Sequence, residues 1–286
     1  YVNVSNDQPR TVRIKGVFWR VYRQLEEAPR RSPLVILHGL FGSGDNWHHQ
    51  ARALARARPV FVADMPNHGR SVHTDSVTYP EVARFLWRSV DERDLYESAG
   101  VEPSAPTLLG HSMGGKAAMA MALERPESVA RLIVADIAPK PYRASHEKIF
   151  RGLERVAERE PATRSEAEEL LTADVPQKPI RLFLLKSLDR DTDERYRWRL
   201  NVSALRNGYA DIRDWPYPTA GSDRPRYDGP TLFIAGGKSG YLSDADAPLI
   251  ERHFPAASIT TIQEAGHWLH AEARDRFIEI VDGAVG

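Results

Sequence analysis

The stretch Leu108 to Met121, LLGHSMGGKAAMAM, sets one serine between two glycines at the point where a greasy run gives way to an alanine-rich one. TLLG, ending at Gly110, has the continuous apolar character of a strand buried on both faces. MGGKAAMAMALE, from Met113, reads as a helix. Strand, turn and helix in that order make Gly110-His111-Ser112-Met113-Gly114 a nucleophile elbow. In so tight a turn, side chains two positions either side of the serine would collide, so glycine is needed at both. The hydroxyl is thereby held clear of the sheet. The same turn aims the Met113 backbone N–H at the space above the hydroxyl, where an oxyanion would form.

Working outward, strand and helix signals alternate. TVRIKG and VFWRVYRQL form an opening hairpin, and EEAPRRSP ends it. PLVILHG, PVFVADMP, APTLLG and RLIVADIAP read as buried strands, separated by the helical WHHQARALARA and PEVARFLWRSVDERDLYESAG and by the elbow helix. GPTLFIAGG and ASITTIQEAG supply two later strands. This alternation predicts an α/β fold: a mostly parallel sheet with helices on both faces. Between Pro139 and Gly229 strand signals vanish. EKIFRGLERVAERE places Ile149, Leu153 and Val156 on one face, SEAEELL carries a capping-box start, and PIRLFLLKSL and RWRLNVSALRNG continue the helical trend. The expected organisation is a core domain of residues 1–138 and 229–286 with an inserted helical cap, 139–228.

Composition limits the chemistry. The chain has 286 residues, and its 39 basic side chains balance 39 acidic ones, so no global field points to nucleic acid or an anionic membrane. No apolar run approaches the roughly 20 residues of a membrane span, and YVNVSNDQPR lacks a signal-peptide layout. The expectation is a cytoplasmic protein with no stable membrane insertion; the sequence sets no oligomeric state. The absence of cysteine removes disulfides, thiolate zinc sites and cysteine nucleophiles. DRDTDE, Asp189 to Glu194, resembles the start of a calcium loop, but Glu194 sits where glycine is needed and Leu200 where the bidentate glutamate belongs. Metalloprotease, P-loop and dinucleotide motifs are missing, so no metal or cofactor is expected.

A serine hydroxyl becomes nucleophilic when a base takes its proton and an acid orients that base. EAGHWLHAEA offers His267 in a loop just past the last strand, with His270 as a competitor; loops at strand C-termini carry the site residues of such sheets. LHGLFGSGDNW, after an early strand, offers Gly39 for close approach and the Leu40 N–H as second oxyanion donor. Phe41, His111 and Trp268 are candidate substrate-binding residues.

HGLFGSGDNW, DMPNHGRS, GHSMGGKAAM, DIAP and GHWLHAE occur in an order and spacing that resemble the α/β-hydrolases, and specifically the YbfF-like acyl esterases. The resemblance runs from about Leu34 to Glu272, with YRWRLN its main cap match. Pro66 departs from it, where arginine is common, which unsettles that loop's hydrogen bonding. In most such enzymes the acid follows the strand after the cap, where Ser239 stands here; Asp244 and Asp246, further on, suit a helix start. The resemblance implies instead that the acid ends the preceding strand, at Asp136, with Ser239 bridging to the histidine. It also implies a serine esterase or thioesterase acting on a small acyl ester, with a thioester of coenzyme A as one option. Arg195, Arg197 and Arg199 are then either phosphate contacts or a solvated helix face. C–C bond hydrolysis, lyase chemistry or a binding protein without turnover are the other uses of this fold. Ser112 argues against the haloalkane dehalogenases, which need a carboxylate nucleophile.

Overall fold

The computed structural model describes residues 8–24, 31–221 and 223–285. Most of the terminal stretch YVNVSNDQPR and of the first loop, EEAPRRSP, lies outside the described residues.

The chain opens with the hairpin of β1 (Arg10–Ile14) and β2 (Val17–Tyr22). Lys15 and Gly16 both take positive φ in its two-residue turn, the backbone that matches strand twist. β2 pairs antiparallel with β4 (Val60–Ala63), and from there the sheet is parallel. Its remaining strands are β3 (Leu34–Leu37), β5 (Thr107–His111), β6 (Arg131–Ala135), β9 (Thr231–Gly236) and β10 (Ala257–Ile262), in the order β1-β2-β4-β3-β5-β6-β9-β10. Alternate residues of each strand serve opposite faces. Val35 and Leu37 join the cluster under α2 (Tyr79–Val90), α3 (Arg93–Ala99) and α4 (Met113–Glu124). Leu34 and Ile36 join the cluster under α1 (His48–Leu54), α11 (Leu269–Glu272) and α12 (Arg274–Ala284). Because both faces are covered, the central strands read as unbroken apolar runs. α10 (Ala247–His253) lies between β9 and β10 in sequence.

Between β6 and β9 the chain passes through α5 (Glu147–Arg159), α6 (Arg164–Thr172), α7 (Lys178–Leu184), α8 (Val202–Asn207) and α9 (Tyr209–Arg213). This stretch differs from the sequence reading in two ways. PIRLFLLKSL leaves its helix at Leu184, and β7 (Leu188–Arg190) pairs antiparallel with β8 (Tyr196–Trp198). The DRDTDE charges sit in that hairpin, where the Arg197 guanidinium meets Glu160, Asp191 and Asp193. The capping residue of α6 is Thr163, whose hydroxyl accepts from the Glu166 N–H, two residues before the Ser165 at which SEAEELL begins. Elsewhere, PEVARFLWRSVDERDLYESAG is two helices, because Glu92 is extended and restarts the chain so that Leu95, Tyr96 and Ala99 are buried. No helix among the described residues is long and apolar enough to cross a membrane.

Candidate active site

The loops that leave the carboxyl ends of β3, β5, β6, β9 and β10 meet above the sheet, and they carry Leu40, Phe41, Ser112, Asp136, Ser239, His267 and Trp268. At the elbow, Ser112 has φ 54° and ψ −120°, a strained conformation for a residue with a side chain. A methyl added at Gly110 would run into the Gly114 carbonyl, and one at Gly114 into the carbonyls of Leu37 and His38. Backbone packing is therefore what both glycines serve.

His267 reaches in from the loop after β10. Its Nε2 lies 3.1 Å from Ser112 Oγ and its Nδ1 lies 2.7 Å from Asp136 Oδ2. The neighbouring His111 donates from Nε2 to the His267 carbonyl at 2.8 Å, tying the elbow to the loop that carries the imidazole. Burial, followed by the charges of His270 and His267, holds the His111 imidazole well below its ordinary range, so it stays neutral. His270 is elsewhere: its ring stacks on Trp47 at 4.4 Å and 7°, and it makes no hydrogen bond to Ser112.

Asp136 ends β6 with φ 52° and is fully buried. Its Oδ1 accepts the Gly236 N–H at 3.0 Å, and its Oδ2 accepts from both His267 Nδ1 and the Ser239 hydroxyl. Ser239 does not bridge. It lies beside the Asp136–His267 contact, donates to the same oxygen, and receives the Tyr241 N–H at 3.2 Å. The reason is reach: the imidazole closes on Asp136 directly, leaving no gap for a hydroxyl. Asp244 and Asp246 form a short 3-10 turn; the Asp246 carboxylate accepts the Ser243 N–H and pairs with Lys140 at 2.5 Å.

The loop after β3 is fixed by two buried imidazoles. The Met65 N–H donates to His38 Nε2, and His38 Nδ1 donates to the Gly39 carbonyl. The Phe41 N–H donates to His68 Nε2, and His68 Nδ1 donates to the Pro66 carbonyl. These partners assign both rings as neutral Nδ1–H tautomers, consistent with burial lowering His38 and, with help from the charge of His38, pushing His68 down to about 3. Pro66 thus sits in a closed hydrogen-bonded loop. The Phe41 amide is thereby occupied, whereas the Leu40 N–H is not. Neither it nor the Met113 N–H, at the start of α4, meets an acceptor among the described residues.

A profile for the alpha/beta hydrolase fold matches residues 32–273. The chain belongs to the α/β-hydrolase family. It is 34% identical over 252 residues to Esterase YbfF of Escherichia coli (strain K12), covering 87% of this chain and 91% of that one. It is 36% identical over 268 residues to the sn-1-specific diacylglycerol lipase ABHD11 of Mus musculus, covering 91% and 83%. The solved structure of a marine microorganism esterase has a TM-score of 0.81 at 37% identity, over 93% of this chain and 97% of that one. This α/β-hydrolase is a carboxylic ester hydrolase, an enzyme of the esterase/lipase type.

Above Ser112 the hydrolase encloses a cavity of about 590 Å3. Phe41, His111 and Trp268 line it, as expected, together with Ile149, Phe183 and Tyr209 from the stretch between β6 and β9. None of Arg195, Arg197 and Arg199 does; Arg197 is held in the ion pairs of the β7–β8 hairpin, and the Arg199 guanidinium donates to the Lys186 carbonyl. Sequence reasoning missed Tyr241, whose ring stacks on His267 at 4.1 Å and 22°, although its place two residues past Ser239 was there to be read. It also missed Ser187, which donates to the Phe41 carbonyl at 3.2 Å across 146 residues of chain, and the pairing of His146 with Tyr209. No local pattern signals those two.

Proposed function

We propose that this hydrolase cleaves small acyl esters or thioesters through a Ser112–His267–Asp136 triad. The observation that carries the reading is the position of His267, within hydrogen-bond reach of Ser112 on one ring nitrogen and of the buried Asp136 on the other. Ser112 Oγ attacks the acyl carbonyl carbon as its proton passes to His267 Nε2. The Leu40 and Met113 N–H groups hold the resulting oxyanion, and Asp136 stabilises the imidazolium through Nδ1. As the tetrahedral intermediate collapses, Nε2 returns the proton to the leaving oxygen or sulfur, and the acyl group stays on Ser112. Water then repeats the sequence, giving a free acid and restoring the serine.

Residues 139–228 serve as a cap in this reading, roofing an apolar cavity whose volume falls within the roughly 300–1,000 Å3 of small-molecule sites. Ser239 and Gly236 aim the acid, and Tyr241 supports the imidazole face. A series of chromogenic esters of increasing acyl length tests both the chemistry and the cavity. The expected result is turnover that rises with chain length until the cavity is filled and then falls, with Ser112→Ala slower by roughly 10⁴-fold or more on each ester. Equal turnover by Ser112→Ala would remove Ser112 from the chemistry.

A further inference from the structure

The same cavity is lined by a histidine that the reaction above does not use. His146 precedes α5, and its Nδ1 lies 2.7 Å from the Tyr209 hydroxyl. That hydroxyl already accepts two amides, the N–H groups of Ser145 and His146, each at 3.1 Å. With its oxygen so occupied, the phenol directs its own proton at His146 Nδ1, which is therefore an acceptor. The imidazole proton is left on Nε2. Burial, with a smaller push from the charge of His267, brings this imidazole down to about 4, so the ring is neutral and the tautomer holds near neutral pH.

Nε2 has no partner among the described residues and, unlike Nδ1 of His270, is not sealed from solvent. The ring lines the cavity edge-on to Phe41 at 5.8 Å and to Tyr209 at 5.7 Å, and Phe150 packs against both of those rings. The site is thus a single oriented N–H in a mostly apolar chamber. A donor there gains nothing from an alkyl chain and gains a hydrogen bond from an oxygen.

We propose that His146 is a specificity-determining residue whose Nε2–H donates to an acceptor oxygen of the substrate outside the scissile ester, selecting oxygenated esters over plain alkyl ones. Tyr209 is the positioning residue that fixes the tautomer. The inference rests on the serine hydrolase reading, which seats the substrate in this cavity.

The test uses two esters of nearly equal shape, 2-methoxyethyl 3-methoxypropanoate and n-butyl pentanoate, which carry ether oxygens on both sides of the ester group or on neither, and reads the ratio of their kcat/KM values. Intrinsic reactivity cancels when that ratio is compared between variants. In His146→Leu the ratio should fall about fivefold relative to wild type, the worth of about one hydrogen bond. His146→Gln, which keeps an N–H at a similar reach, should recover most of it, and Tyr209→Phe should fall between wild type and His146→Leu. A ratio unchanged in His146→Leu, or a loss shared equally by both esters and not separated by His146→Gln, overturns the proposal. The parent reading fails by a different sign: Ser112→Ala hydrolysing both esters at the wild-type rate.

Discussion

On the sheet side of the cavity, Ser112, Asp136 and His267 stand just past the ends of three parallel strands, β5, β6 and β10, and backbone geometry holds them there. Two of the three, Ser112 and Asp136, are in the left-handed region, and Asp136 is fully buried. On the other side, the stretch between β6 and β9 packs into the core through Phe150, Leu153, Leu184 and Leu205, and individual side chains tie it to the rim of the cavity. Ser187 holds the Phe41 carbonyl, Tyr209 holds His146, and the Lys116 ammonium of α4 donates to the carbonyls of Arg213 and Asp214 at 2.8 Å each. The lesson is a division of labour. On the proposed reading, strand ends fix the reacting atoms and the stretch between β6 and β9 chooses what reaches them, so changes on the first side should strike kcat and those on the second should strike selectivity.

The hardest blow to the sheet side is Asp136→Asn. The amide can neither select the imidazole tautomer nor balance its charge, and kcat should fall by roughly 10³ to 10⁴ with the fold retained. Steady-state kinetics beside circular dichroism check it; a loss under tenfold would show that His267 is oriented by something else. Ser187→Ala probes the exception to the division, since this roof residue touches the oxyanion turn. Phe41 has φ 63°, a strained backbone that its neighbours must hold. We expect kcat to drop about fivefold, with KM little changed, for the loss of one positioning hydrogen bond; a change confined to KM would return Ser187 to the roof's ordinary role. Ser239→Ala should be milder still, about threefold in kcat, since His267 and Gly236 continue to hold the carboxylate. A loss matching that of Asp136→Asn would restore the relay that the direct 2.7 Å contact argues against.

The smallest effect concerns pH. His68 and His270 are pushed down by burial to about 3, whereas an unfolded histidine titrates near about 6.5. Between those values the unfolded chain binds more protons than the folded one, so stability rises with pH across that window. The contribution is whole above about 6.5 and is lost as pH falls toward 3. Urea unfolding at pH 6.5, 5.5 and 4.5 should show this decline, and His68→Gln should flatten its slope; an unaltered slope would exclude His68 as a source.

The same contrast explains what the sequence disclosed. Gly110, Ser112 and Gly114 were readable because a collision within five residues dictates them, and the strands because two covered faces leave a continuous apolar run. Asp136 could be named through the company of DIAP and the other motifs, while its contact with His267 joins residues 131 apart. Ser239 was found but misassigned, since its place in the loop was legible and the reach of the imidazole was not. In the roof, PIRLFLLKSL kept a helical pattern of apolar residues past the point where the chain turns into β7, because burial of Leu185 and Leu188 satisfies either geometry. The pairing of His146 with Tyr209 depends on how five short helices settle on one another, and no spacing encodes that.

The central claim is that Ser112 is the atom that attacks, driven by His267. Its most direct measurement is covalent: incubate the protein with a fluorophosphonate ester and locate the phosphonyl adduct by peptide mass spectrometry. The account predicts about one adduct per chain, on Ser112, formed slowly in His267→Ala and absent in Ser112→Ala. Labelling of Ser112→Ala at the wild-type rate, or an adduct on another residue, would contradict it.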